Sequence, residues 1–222
     1  MTQVEALAKI EALDQPFFET KDIAALLAVE HSNANKIAAR LAGTGLIVPL
    51  ARGKWALRRV NKLAVPEHLT SPYPAYVSLQ TALYYHGMIS QIPSVTYAVS
   101  LARSRRYETA IGTFSIHHIS PDFFFGYELD RSGSAKTAVL EKALLDLLYL
   151  SPTRTRLFAK LPEIEFPREF SWQKAFDMAA KIKSPARWVF VKEALSSLRS
   201  SSRHSKRAAL GSHKKMRLNP KS

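Results

Sequence analysis

The sequence predicts an α+β protein made of two folded parts and a basic tail, and three observations predict it. Residues 1–60 carry apolar side chains first at helical spacing and then in two short β-prone runs. Residues 78–198 mix alternating, strand-like stretches with amphipathic helical ones. From Arg199 to Ser222 there are eight basic residues and no acidic one, a composition with too little apolar surface to drive folding.

In the first part, Val4, Leu7, Ala8, Ile10 and Ala12 fall roughly on one face of a helix over Thr2–Leu13, and "DQPFFET" breaks it at Pro16. Thr20 is a natural cap for "KDIAALLAV", with Ile23, Leu26 and Leu27 inward. A third helix is expected from about Asn33 to Ala42 on a stripe of Ile37, Ala38 and Leu41, stopped by Gly43 and Gly45. "LIVPL", the turn "ARGK" and "WALRRV" then read as a hairpin. Three helices followed by a hairpin is the order of a winged helix-turn-helix domain, expected over residues 1–60.

"NKLAVPEHLTSPYPAY" is rich in Pro and turn residues, so residues 61–77 are expected to be a linker. A mixed α/β domain is expected over 78–198. Ser78 caps "LQTALYYHGMI", which Gly87 ends, and "SVTYAVSLA" and "GTFSIHHIS" alternate as strands around the basic connection "RSRRYETAI". "FFFGYELD" continues the strand region, and "SGSAKTAVLEKALLDLLYLS" is expected to turn helical. "SWQKAFDMAAKIK" and "ARWVFVKEALSSLR" read as helices parted by Ser184–Pro185, and residues 199–222 as a disordered tail.

Charge points to the partner. The chain of 222 residues has 32 Lys plus Arg against 18 Asp plus Glu, a formal +14, which favours a polyanion such as nucleic acid. The tail supplies +8 of that, leaving +6 on residues 1–198, so the body is moderately basic. There is no cysteine, which removes disulfides, thiolate zinc sites and a cysteine nucleophile. The acidic residues of "MTQVEALAKIEALDQ" argue against a signal peptide. Apolar runs are too short to span a membrane, and a cytoplasmic location is expected.

In a helix-turn-helix the N-terminal end of the second helix reaches base edges. Ser32, Asn33, Asn35, Lys36 and Arg40 occupy that position, and Arg52 and Lys54 offer the wing to the backbone or minor groove. The plainer alternative is a capped, solvated helix beside an ordinary hairpin, or a protein-docking module. Arg103, Arg105 and Arg106, beside Tyr107, form a second basic cluster for nucleic acid or an acidic partner. No catalytic residue, metal ligand set or cofactor is expected. His117 and His118, adjacent on a strand, face opposite ways. "PDFFFGYELD" approaches a metal-dependent nuclease pattern through Asp122 and Glu128, but Asp130 stands where the lysine belongs. Glu141 and Asp146 read as the solvated edge of a helix.

The order of "YVSLQTALYYHGMISQIPSVTYAVSLARSRR", "FSIHHISPDFFFGYE" and "AVLEKALLDLLYL" behind the N-terminal helices resembles the AbiEi family, roughly from Ile23 to Leu150. Its members are antitoxins of type IV toxin–antitoxin systems, also described as transcriptional regulators of viral (phage) defence. The resemblance implies a winged helix that represses the operon's own promoter as double-stranded DNA. It also implies a C-terminal domain that counteracts a nucleotidyltransferase toxin without a stable complex. By position, the family's reading helix falls on Asn33–Ala42. Two rival expectations stand beside it: a stand-alone regulator whose second domain senses a ligand or partner, and a metal-dependent nuclease.

Overall fold

The computed structural model describes residues 2–130, 133–151 and 162–216, with side chains as far as residue 202. The described residues are mixed α and β, with two sheets among them. It divides into two compact units whose segments interleave. Met1–Val77, Pro93–Ser120 and Tyr127–Thr137 make the first; Ser78–Ile92, Pro121–Gly126 and Ala138–Ser222 make the second. No boundary falls at residue 60.

The first unit begins with α1 (Gln3–Glu11), whose start is fixed by Thr2 and Glu5 in a reciprocal capping box. β1 (Phe17–Glu19), α2 (Thr20–Leu27), α3 (His31–Gly43), β2 (Ile47–Ala51) and β3 (Lys54–Leu57) follow. The strands form an antiparallel sheet of order β1-β3-β2. β1 lies in the segment expected to be only a break; three residues leave no alternation to read. Ala6, Ile10, Phe18, Ile23, Leu27, Ala34, Ala38, Leu41 and Ile47 form one core. Ala34, Ala38 and Leu41 are spaced to lie on one side of α3, so the opposite side is left to water.

The hairpin has a second buried face. Val48, Leu50 and Ala56 pack against Val65, Leu69 and Phe114, so the near-continuous apolar run "LIVPL" reports burial on both sides. The expected linker is in fact structured. Residues 61–77 carry a 3-10 turn (Lys62–Ala64), α4 (Val65–Thr70) and β4 (Ala75–Val77), with Val65, Pro66, Leu69 and Val77 buried. Pro66 sits in the first turn of α4, where a missing N–H costs nothing. That proline looked like linker chemistry and is a helix start.

β5 (Val95–Ser100), β6 (Arg105–Thr109), β7 (Gly112–His118), β8 (Tyr127–Leu129) and β9 (Lys136–Ala138) complete a six-stranded sheet of order β6-β7-β5-β4-β9-β8. β5 runs parallel to β7, and β4 to β9; β6 is antiparallel to β7. The basic connection at 103–111 is therefore largely strand β6. The segment from Ser132 expected to be helical holds β9 before its helix begins.

In the second unit, α5 (Leu79–Tyr85), α6 (Leu140–Leu150), α7 (Trp172–Ala179) and α8 (Pro185–Met216) are the helices among the described residues. α6 packs against α5, α7 and α8. α8 runs through most of the expected disordered tail. Between Arg199 and Met216 there is no proline and the first glycine is Gly211, and Ser, Arg, Lys and Ala are all tolerated in helices. Residues 217–222 lie outside the described residues. Among those described, no helix is long and apolar enough to cross a membrane.

Candidate nucleic-acid interface

α3 is preceded by the cap residue Glu30, whose carbonyl accepts from the Asn33 and Ala34 N–H groups at 2.9 Å. The helix therefore begins two residues earlier than its apolar stripe suggests, and His31, Ser32 and Asn33 all stand in its first turn. Ser32, Lys36 and Arg40 follow at i, i+4 and i+8, an exposed row on the side opposite Ala34, Ala38 and Leu41. Among the described residues, no carboxylate pairs with Lys36 or Arg40. The first turn also presents the positive end of the helix dipole.

Asn35 behaves differently from its neighbours. Its Oδ1 accepts from the Thr20 hydroxyl at 3.0 Å, and the same hydroxyl accepts from Trp55 Nε1 at 3.0 Å. The Thr20 N–H donates to the Gly53 carbonyl at 3.0 Å. One threonine thus ties α3, the start of α2 and the β2–β3 turn together. Expected among the base-contacting residues, Asn35 has its carbonyl already committed, and the bidentate pairing of asparagine to adenine needs that oxygen. It positions the helix; Asn33, whose side chain is exposed, is the free amide.

The turn between β2 and β3 separates the two predicted wing cations. Arg52 is exposed at the tip, and Gly53 follows with φ +72°, a conformation glycine enters without penalty. Lys54 is turned inward. Its Nζ donates to the His68 carbonyl at 2.7 Å and the Ser71 carbonyl at 3.3 Å, and lies 3.3 Å from Glu19. Its ammonium is spent on α4 and β1, so it is a strut of the hairpin. Lys21 at 2.9 Å, together with Lys54, holds the Glu19 carboxyl below its usual range.

Arg103, Arg105 and Arg106 are all exposed, on β6 and the turn before it. Register puts Arg105 and Tyr107 on the face of Ile116 and Phe114, and Arg106 on the face of Ser115. Arg105 lies over the Tyr107 ring at 4.9 Å, and Arg106 pairs with Glu108 at 3.3 Å. The three arginines are therefore two sites, not one cluster.

His117 and His118 do face opposite ways. His117 lies 3.0 Å from the Ser115 hydroxyl, and burial pushes its pKa down to about 4. His118 Nδ1 donates to the Ala102 carbonyl at 3.2 Å. Asp122 pairs with Lys183 at 2.7 Å, while Asp130 accepts from Asn61 at 2.8 Å and from the Ser134 N–H at 2.9 Å. Among the described residues, no three His or carboxylate groups converge as a metal site.

Glu141 and Asp146 are buried, not a solvated edge. Asp146 takes the Ser78 hydroxyl at 2.7 Å and forms an ion pair with Lys142, which also lies 4.0 Å from the centre of the Phe123 ring. All three of these polar residues are fully enclosed. Burial pushes the Lys142 pKa down against the pull of Asp146. The sequence offered no sign of Lys142 because its i, i+4 spacing to Asp146 is also that of a surface pair. Glu141 receives the Ser171 N–H at 3.0 Å and Lys174 at 2.9 Å; despite burial, these hold its pKa below the usual value.

No protein-family model matches the chain, and no curated protein matches it in sequence.

Proposed function

We propose that the N-terminal helices and hairpin are a winged helix-turn-helix that docks α3 on double-stranded DNA, and that the protein regulates transcription from its own promoter. The observation that carries this is the exposed row Ser32, Lys36 and Arg40 beside Asn33, unpaired and backed by a rigid Ala34–Ala38–Leu41 seam. A helix locked from behind with short polar and cationic groups in front suits groove insertion, because bases and phosphates are reached without ordering new backbone. Arg52 extends the contact to an adjacent phosphate, and the net charge of +14 supports association with a polyanion.

The resemblance to AbiEi antitoxins supplies the wider role: an autorepressor that opposes a nucleotidyltransferase toxin without a lasting complex and without catalysis of its own. Footprinting of the DNA upstream of its gene tests the first part, and one protected stretch inside the promoter is the expected result. Co-expression with a neighbouring nucleotidyltransferase gene, scored for growth, tests the second. Growth rescue is expected; growth arrest despite soluble protein would leave a DNA-binding regulator and remove the antitoxin.

A further inference from the structure

We infer that the first unit carries a pocket for a nucleotide unit, a phosphate joined to a planar base, where the loop after α4 faces the turn between β5 and β6. The open cleft has a volume of about 720 Å³, inside the range of about 300–1,000 Å³ common for small-molecule sites. Leu69 and Leu101 give it an apolar floor, Tyr73 and Tyr107 give it aromatic walls, and Arg103 and Arg105 stand at its mouth. None of its lining residues is acidic, so the field inside favours an anion.

Each part of a nucleotide finds a counterpart. A guanidinium fork takes two phosphate oxygens at once. Arg103 has no carboxylate partner among the described residues, and Arg105 is exposed, with its guanidinium over the Tyr107 ring at 4.9 Å. Tyr73 is 54% exposed at the rim, a large ring left in water with a face on which a base stacks. A bare phosphate leaves that ring unused, and an uncharged aromatic leaves the arginines unused.

Both walls are already fixed. The Thr70 hydroxyl donates to the Tyr73 carbonyl at 2.8 Å, and Lys54 donates to the Ser71 carbonyl at 3.3 Å. On the other wall the His118 N–H donates to the Ser104 hydroxyl at 2.8 Å. A ligand therefore meets a prearranged site and spends little binding energy on ordering it. Lys54 belongs to the hairpin that carries Arg52. None of this uses α3, and it stands or falls apart from the DNA reading.

Calorimetric titration of the full chain tests it, with AMP, adenosine and inorganic phosphate as probes. AMP is expected to bind saturably, with adenosine and phosphate each at least about tenfold weaker, since each lacks one half of the recognition. Arg103→Ala with Arg105→Ala is expected to weaken AMP by about tenfold or more at an unchanged thermal midpoint, because both side chains are solvent-facing. Tyr73→Ala is expected to weaken it several-fold. A 5′-phosphorylated oligonucleotide, against its 5′-hydroxyl counterpart, identifies the source. Tighter binding than AMP, lost in the same variants, marks a strand end; weaker binding marks the free nucleotide. No saturable binding of AMP or the phosphorylated strand at millimolar concentration overturns the proposal, as does binding that ignores the arginine substitutions.

Discussion

Thr20 and Lys142 each organise more than their own surroundings. The Thr20 hydroxyl joins Asn35 to Trp55 at 3.0 Å on either side. Thr20→Val keeps the shape and removes the link, so a stability loss of about 1–3 kcal/mol is expected in urea unfolding, from polar groups left half-satisfied. Lys142 is enclosed with Asp146 and Ser78 in the second unit. Lys142→Met leaves the Asp146 carboxylate buried without its cation, and a loss of about 3–5 kcal/mol is expected. The double variant with Asp146→Leu is expected to regain much of it, because removing both charges also removes their desolvation. Neither residue was legible beforehand. Thr20 reads as a helix cap, and the cap hydrogen bond comes from Asp22, which accepts from the Glu19 N–H at 2.7 Å. Glu141, Lys142 and Asp146 read as a solvated edge because helical periodicity cannot reveal a helix wrapped on all sides.

Elements were legible in proportion to their length and to how local their cause is. α1, α2, α3 and the hairpin follow from apolar spacing, capping residues and turn glycines, all within a few residues. β1, β8 and β9 have three residues each, too few for alternation, and exist because a neighbouring strand holds them. α4 was hidden by its own Pro66 and by Pro72 and Pro74 just after it. β6 was hidden by its arginines, which are tolerable because it is the last strand of its sheet and their side chains are exposed. The hairpin gives the sharpest contrast between expectation and structure, since Arg52 and Lys54 stand two residues apart and do different work. Arg52→Ala is expected to weaken DNA binding and reduce the slope of log affinity against log salt by about one. Lys54→Ala is expected to leave that slope alone and lower the thermal midpoint, because its ammonium holds His68, Ser71 and Glu19.

For the molecule as a whole, charge and pH act together. His68 and His117 both have pKa values pushed down to about 4, mainly by burial, with Lys54 adding to the effect at His68. Unfolded, each binds its proton near 6.5, so between about pH 6.5 and 4 the unfolded chain holds more protons than the folded one. Stability is therefore expected to fall as pH drops through that window. Thermal melts across it check the slope, and His68→Gln with His117→Gln is expected to flatten it. The proposed function requires a duplex to lie against the open side of α3. Fluorescence anisotropy of the promoter duplex and a scrambled duplex, comparing the native chain with Asn33→Ala, measures this most directly. A loss of about tenfold on the promoter with little change on the scrambled duplex is the expected result, because a base contact contributes about 1–3 kcal/mol of discrimination. Equal affinity of the two proteins for both duplexes would contradict it.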